Sequence, residues 1–109
     1  MAFDEGLAER VRHLVGTEPG LSERKMFGGL CFLLNGNMGF GIVGSELMVR
    51  VGQAKYAEAL ALPHAREMDF TGRSMRGMVF VAEDGLSEDD ELNSWLHRGI
   101  DFSGSLPAK

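Results

Sequence analysis

Apolar residues recur at two different spacings along this chain, and the change between them marks where a helix gives way to strands. Leu7, Val11, Leu14 and Val15 fall at i, i+4, i+7 and i+8, one stripe of a helix from about Asp4 to Val15. Asp4 suits its N-cap and Gly16 its stop, and Thr17-Glu18-Pro19-Gly20 reads as a loop. From Glu23 to Gly52 the spacing shortens to two. Leu30, Phe32 and Leu34 share one strand face, Met38, Phe40 and Ile42 another, and Leu47, Val49 and Val51 a third, with Met48 and Arg50 on the reverse side. Asn35-Gly36-Asn37 joins the first two strands, because Asn-Gly supplies the positive φ angles of a tight hairpin. Val43-Gly44-Ser45-Glu46 turns the second strand into the third.

Downstream, the alanine-rich stretch Gln53 to Leu62 predicts a short helix with Ala57, Leu60 and Ala61 on one side, ending before Pro63. Arg66-Glu67-Met68-Asp69-Phe70 alternates polar and apolar residues, Thr71-Gly72-Arg73 turns it, and Gly77-Met78-Val79-Phe80-Val81 reads as a further strand. Ser87 followed by Glu88, Asp89 and Asp90 predicts a helix start, with carboxylates where the helix dipole favours them. Leu92, Trp95 and Leu96 form that helix's buried side, and Gly99 can end it. The expectation is an α+β fold of two layers: an antiparallel five-stranded sheet packed with helices, in the order α-β-β-β-α-β-β-α, within one domain over residues 1–109.

With 109 residues, 44% of them apolar and 25% charged, the chain matches an ordinary soluble domain. No stretch approaches the roughly 18 uninterrupted apolar residues of a membrane span, and Asp4 and Glu5 stand where a secretory leader would be basic; a cytoplasmic protein without a membrane partner is expected. The net charge of −5 argues against binding nucleic acid over the whole surface, but it is unevenly spread. Residues 22 to 78 hold seven basic side chains against five acidic ones, a balance of +2, so the two flanks together carry −7.

Candidate chemistry narrows accordingly. Gly39-Phe40-Gly41-Ile42-Val43-Gly44 matches the dinucleotide fingerprint in letters only, since that motif needs a helix N-terminus after its glycines and here a strand follows. Gly39 and Gly41 instead leave a strip without side chains on the face opposite Met38, Phe40 and Ile42, suited to close packing of a helix or a strand bend, or to a partner surface or small-ligand groove. His13, His64 and His97 are too scattered for a metal site, and no cofactor is implied. Cys31, the single cysteine, sits among Leu30, Phe32 and Leu33 as a small hydrophobe. The best polar group is Lys25, Arg50, Arg66, Arg73 and Arg76, whose cations suit phosphate or carboxylate unless Glu67 and Asp69 occupy them.

Met26-Phe27-Gly28-Gly29, then Asn35-Gly36-Asn37-Met38-Gly39-Phe40-Gly41, Leu47-Met48-Val49-Arg50-Val51, Met68-Asp69-Phe70-Thr71-Gly72-Arg73 and Gly77-Met78-Val79-Phe80-Val81 together resemble the N-terminal domain of the TfoX/Sxy family. The likeness runs from the first helix through Trp95 to Leu106-Pro107. It implies the same two-layer α+β fold, no established catalytic residues, and an association with regulation of natural competence in bacteria alongside a cyclic-AMP-dependent transcription activator. Family members usually carry a second, helical C-terminal domain, so a chain ending at Lys109 is expected to act as a stand-alone module. The resulting expectation is a non-enzymatic regulatory module with a protein partner, such as transcription machinery, or a homodimer. The alternative is a small-anion or nucleic-acid binder using Lys25, Arg50, Arg66, Arg73 and Arg76.

Overall fold

A computed structural model describes residues 3–26, 28–70 and 73–108, of which 68–70 and 73–76 are described by backbone alone. Asp4 caps the first helix, α1 (Glu5–Val15): its carboxylate accepts from the amides of Gly6 and Leu7 at 2.9 and 3.2 Å. Leu7, Ala8, Val11 and Val15 form its buried stripe. Four strands follow in a meander, β1 (Leu21–Met26), β2 (Gly29–Leu34), β3 (Asn37–Val43) and β4 (Glu46–Arg50). A 3-10 turn (Gln53–Lys55) leads into the short helix α2 (Tyr56–Leu60), and then come β5 (Ala65–Phe70), β6 (Arg73–Val81), a second 3-10 turn (Glu83–Leu86) and α3 (Asp89–Gly104).

The sheet therefore has six antiparallel strands, in the order β1-β2-β3-β4-β6-β5, where the alternation pattern predicted five. The missed strand is β1. Its sequence, Leu-Ser-Glu-Arg-Lys-Met, has exposed residues at all four central positions, so no period-two signal exists to read. It is an edge strand whose ladder runs to β2 alone among the described strands, from Leu21↔Leu34 to Met26↔Gly29. At the other end, β4 and β5 run parallel to each other with β6 inserted between them, and α2 lies in the crossover.

All three helices share one core with one face of the sheet: Leu7, Val11, Ala59, Leu92 and Leu96 pack with Leu30, Phe32, Phe40, Ile42, Leu47, Val49 and Val79. The reverse face carries a smaller buried cluster, Cys31, Leu33, Met48, Met78 and Phe80, bordered by Met26, Met38 and Val43. Met38 was expected beside Phe40 and Ile42; it is on the reverse face. Phe32 pairs with Phe40 but Leu33 pairs with Met38, so Gly39 is an extra residue that bulges β3 and switches its alternation.

The same bulge separates the two glycines expected to share a face. Gly39 turns towards α3, where a Cβ would lie 3.0 Å from Ser103 Oγ and 3.1 Å from the Gly99 carbonyl, whereas Gly41 lies under Met48 and beside Cys31. Gly99 was expected to end α3. It lies inside this helix of 16 residues, buried, because the helix backbone rides on β3 at that point. The helix also begins later than Ser87: Glu88 is its N-cap, and Ser87 closes the 3-10 turn before it. In α2 the buried residue is Ala59, flanked by half-buried Tyr56 and Leu60, while Ala57 and Ala61 are exposed; the 3-10 start rotates the helix away from the expected face.

The hairpin between β2 and β3 follows the Asn-Gly reading: Asn35 and Gly36 have φ of 52° and 86°, and Leu34 pairs with Asn37 across them. Buried Asn37 donates from Nδ2 to the Pro107 carbonyl at 2.9 Å, fastening the C-terminal residues to the start of β3. Tyr56 is less well served, since its Oη is buried without a hydrogen-bond partner among the described residues. Tyr56→Phe removes a hydroxyl that gains nothing, so thermal unfolding should show stability unchanged or raised by up to about 1 kcal/mol. A clear loss would mean that the hydroxyl is bonded in solution.

Candidate functional site

The cations nominated from the sequence occupy separate places. Lys25 is exposed on β1, opposite Leu30 on the helix-bearing side. Arg66 lies on β5, the other edge, opposite Phe80 on the reverse face. Five strand spacings, about 24 Å, separate those edges. Arg66 is also occupied: it pairs with Glu46, not with Glu67, and its guanidinium sits 4.7 Å from the Phe80 ring centroid. Arg50 ends β4 and places its guanidinium 5.1 Å from the Phe102 ring centroid on α3. The side chains of Arg73 and Arg76, with that of Asp69, lie outside the described residues, although the backbone of both arginines belongs to β6. Among the described residues, then, Lys25, Arg50 and Arg66 do not converge.

What the structure offers in their place is an open edge. Nothing among the described residues pairs with the outer side of β1, and Ser22, Glu23, Arg24 and Lys25 are all exposed there. Glu23 is already engaged: Arg12 of α1 donates to both its carboxylate oxygens at 2.9 Å and also to Glu9 at 2.8 Å. Arg24 and Lys25 take part in no ion pair among the described residues. Sequence reading nominated Lys25 and passed over Arg24; their adjacency was visible, but their place on an edge depends on strand order.

Arg12 holds the Glu23 carboxyl below the ordinary glutamate range, chiefly through its hydrogen bonds, and the same contacts raise the Arg12 guanidinium. A lowered carboxyl stabilises the fold above its unfolded value and loses that contribution as pH falls through the lowered one. Because the pair is partly exposed, the effect is a few tenths of a kcal/mol. Urea unfolding should show Glu23→Gln slightly less stable than wild type at neutral pH, with the gap closing in acid; a gap that widens in acid would contradict the pairing.

A protein-family comparison decides the chain's kinship. The TfoX N-terminal domain model matches residues 13–103. The chain belongs to the TfoX N-terminal domain family. No curated protein and no solved structure gives a significant match to it.

Within this TfoX N-terminal domain, the matched region includes β1, all the other strands and most of α3. The glycines that imitate a dinucleotide fingerprint lie inside β3 and in the turn to β4, so no helix N-terminus opens behind them. Cys31 is fully buried under the reverse face, and burial pushes its thiol up from the ordinary range, which leaves it a packing residue. Met48 and Met78 are buried beside it and Met26 and Met38 border it, so these four methionines fill the second cluster. Met68 and Met75 have side chains outside the described residues.

Proposed function

We propose that this TfoX N-terminal domain is a non-enzymatic regulatory module that binds a protein partner along the outer edge of β1. The observation that carries this reading is the edge itself: an extended strand of six residues, unpaired outwardly among the described residues, with Arg24 and Lys25 exposed and free of ion pairs. Such an edge hydrogen-bonds an incoming extended segment through its backbone, and its side chains select the partner. Two cations with Glu23 neutralised by Arg12 favour a segment carrying Asp or Glu. Membership of the TfoX N-terminal domain family supports a role in competence regulation, and the partner to test first is a cyclic-AMP-dependent transcription activator.

Calorimetric titration of the purified activator into wild type and into an Arg24→Glu/Lys25→Glu variant tests the reading. Binding by wild type and loss of at least about tenfold in the variant is the expected result. Equal binding by both would remove β1 from the interface. A parallel titration with labelled DNA separates the nucleic-acid alternative, which predicts affinity falling steeply between low and physiological salt.

A further inference from the structure

A concave feature lies away from β1, between the end of β4 and the C-terminal half of α3. It is a cleft of about 380 Å³, within the size range of small-ligand sites. Val51, Gly52, Ala54 and Phe102 form its apolar lining. The Phe102 ring packs directly on Gly52, which has φ of 83°: a Cβ there would lie 2.5 Å from two carbons of the ring. The amides of Val51 and Gly52 both donate to the Gly77 carbonyl, at 2.8 and 3.0 Å, which fixes this part of the lining to β6.

The polar groups at the cleft are Lys55, Arg98, Asp101 and Ser105, with Arg50 over the Phe102 ring beside them. None of Arg50, Lys55, Arg98 and Asp101 joins an ion pair among the described residues. Three cations and one carboxylate thus give a local charge of +2 in a chain whose net charge is −5. Three other depressions, of about 480, 250 and 590 Å³, each carry more carboxylates than cations along their walls. Arg98 is braced by stacking on Trp95, 5.5 Å from the ring centroid, and Arg50 by stacking on Phe102.

We propose that this cleft binds a small organic anion with an apolar body, which packs against Phe102 and Ala54 beside the Gly52–Phe102 contact and directs a carboxylate or phosphate to Lys55 and Arg98. Asp101 opposes a second negative group, so the ligand carries its charge at one end. Apolar burial supplies affinity, and the unpaired cations supply the preference for an anion.

NMR chemical-shift titration of the isotope-labelled full chain tests this with phenyl phosphate, phenylacetate and benzylamine as probes of one size. An anionic probe should bind with Kd of about 1 mM, as befits a fragment, and move the amides of Gly52, Lys55, Arg98 and Phe102. Benzylamine should bind at least about fivefold more weakly. Lys55→Gln/Arg98→Gln should weaken anion binding by about five- to tenfold, and Asp101→Asn should tighten it by about two- to fivefold. Binding of both anions or of one supports the site and names its head group. The proposal is overturned if neither anion binds, if benzylamine binds equally well, or if the shifts centre elsewhere. The opposite signs for the two variants distinguish a charge-selective site from general damage to the fold.

Discussion

Alanine at Gly99 is expected to lower stability by about 2–3 kcal/mol, although glycine to alanine in an ordinary helix interior raises it by about 1 kcal/mol. The sign reverses because the added Cβ would lie 2.4 Å from the Gly39 carbonyl oxygen and 2.9 Å from its carbon. Both obstacles are backbone, so no side-chain rotation makes room. The helix is also committed to its position: Ser103, buried one turn on, donates to the Gly99 carbonyl at 2.8 Å and closes the same contact from above Gly39. Thermal unfolding should fall by about 10–20 °C, with a urea midpoint shift at unchanged slope. Gly104→Ala, exposed near the end of the same helix, is the control and should stay within about 0.5 kcal/mol. A neutral Gly99→Ala would mean that α3 does not rest on β3.

Phe40→Ala should be costlier still, about 3–5 kcal/mol. The side chain is fully buried on the helix-facing side, and its ring stacks on Phe32 at 5.0 Å between centroids and 20° between planes. Met38→Ala, only two residues away, should lose much less, about 1 kcal/mol, because the bulge at Gly39 sends Met38 to the rim of the reverse cluster, half-buried. Equal losses at the two positions would imply that Met38 and Phe40 share a face and that β3 has no bulge. Chemical denaturation of the two variants reads this difference directly.

These positions also show what the chain's pattern reveals and where it stops. Leu30, Phe32 and Leu34 alternate without interruption, and Asn35-Gly36 carries the chemistry of the turn, so the β2–β3 hairpin is legible from residues alone. The bulge is not, because glycine at 39 is compatible with either face and only the partner strand's register shows that the alternation slips. The strand β1 is hidden for a different reason: an edge strand needs no apolar face, and Ser22 to Lys25 show no alternation that would separate a strand of their own from the one at Leu30–Leu34 until β2 is seen to pair with them. Gly99 misleads because a glycine inside a helix and one that ends it look alike, and only the distance to Gly39 tells them apart. The candidate sites follow the same division. Arg24 and Lys25 are adjacent in sequence, whereas Lys55 and Arg98 come together only because α3 returns past the end of β4.

Amide hydrogen exchange on the TfoX N-terminal domain, alone and with a purified cyclic-AMP-dependent transcription activator, tests the interaction reading most directly. A strand that gains a partner on its free edge exchanges more slowly there, since the amides that faced water become hydrogen-bonded. Slowing concentrated in Leu21–Met26, and abolished in the Arg24→Glu/Lys25→Glu variant, is the expected result. Unchanged exchange across β1 in a complex that does form, or no complex with the activator, would contradict it.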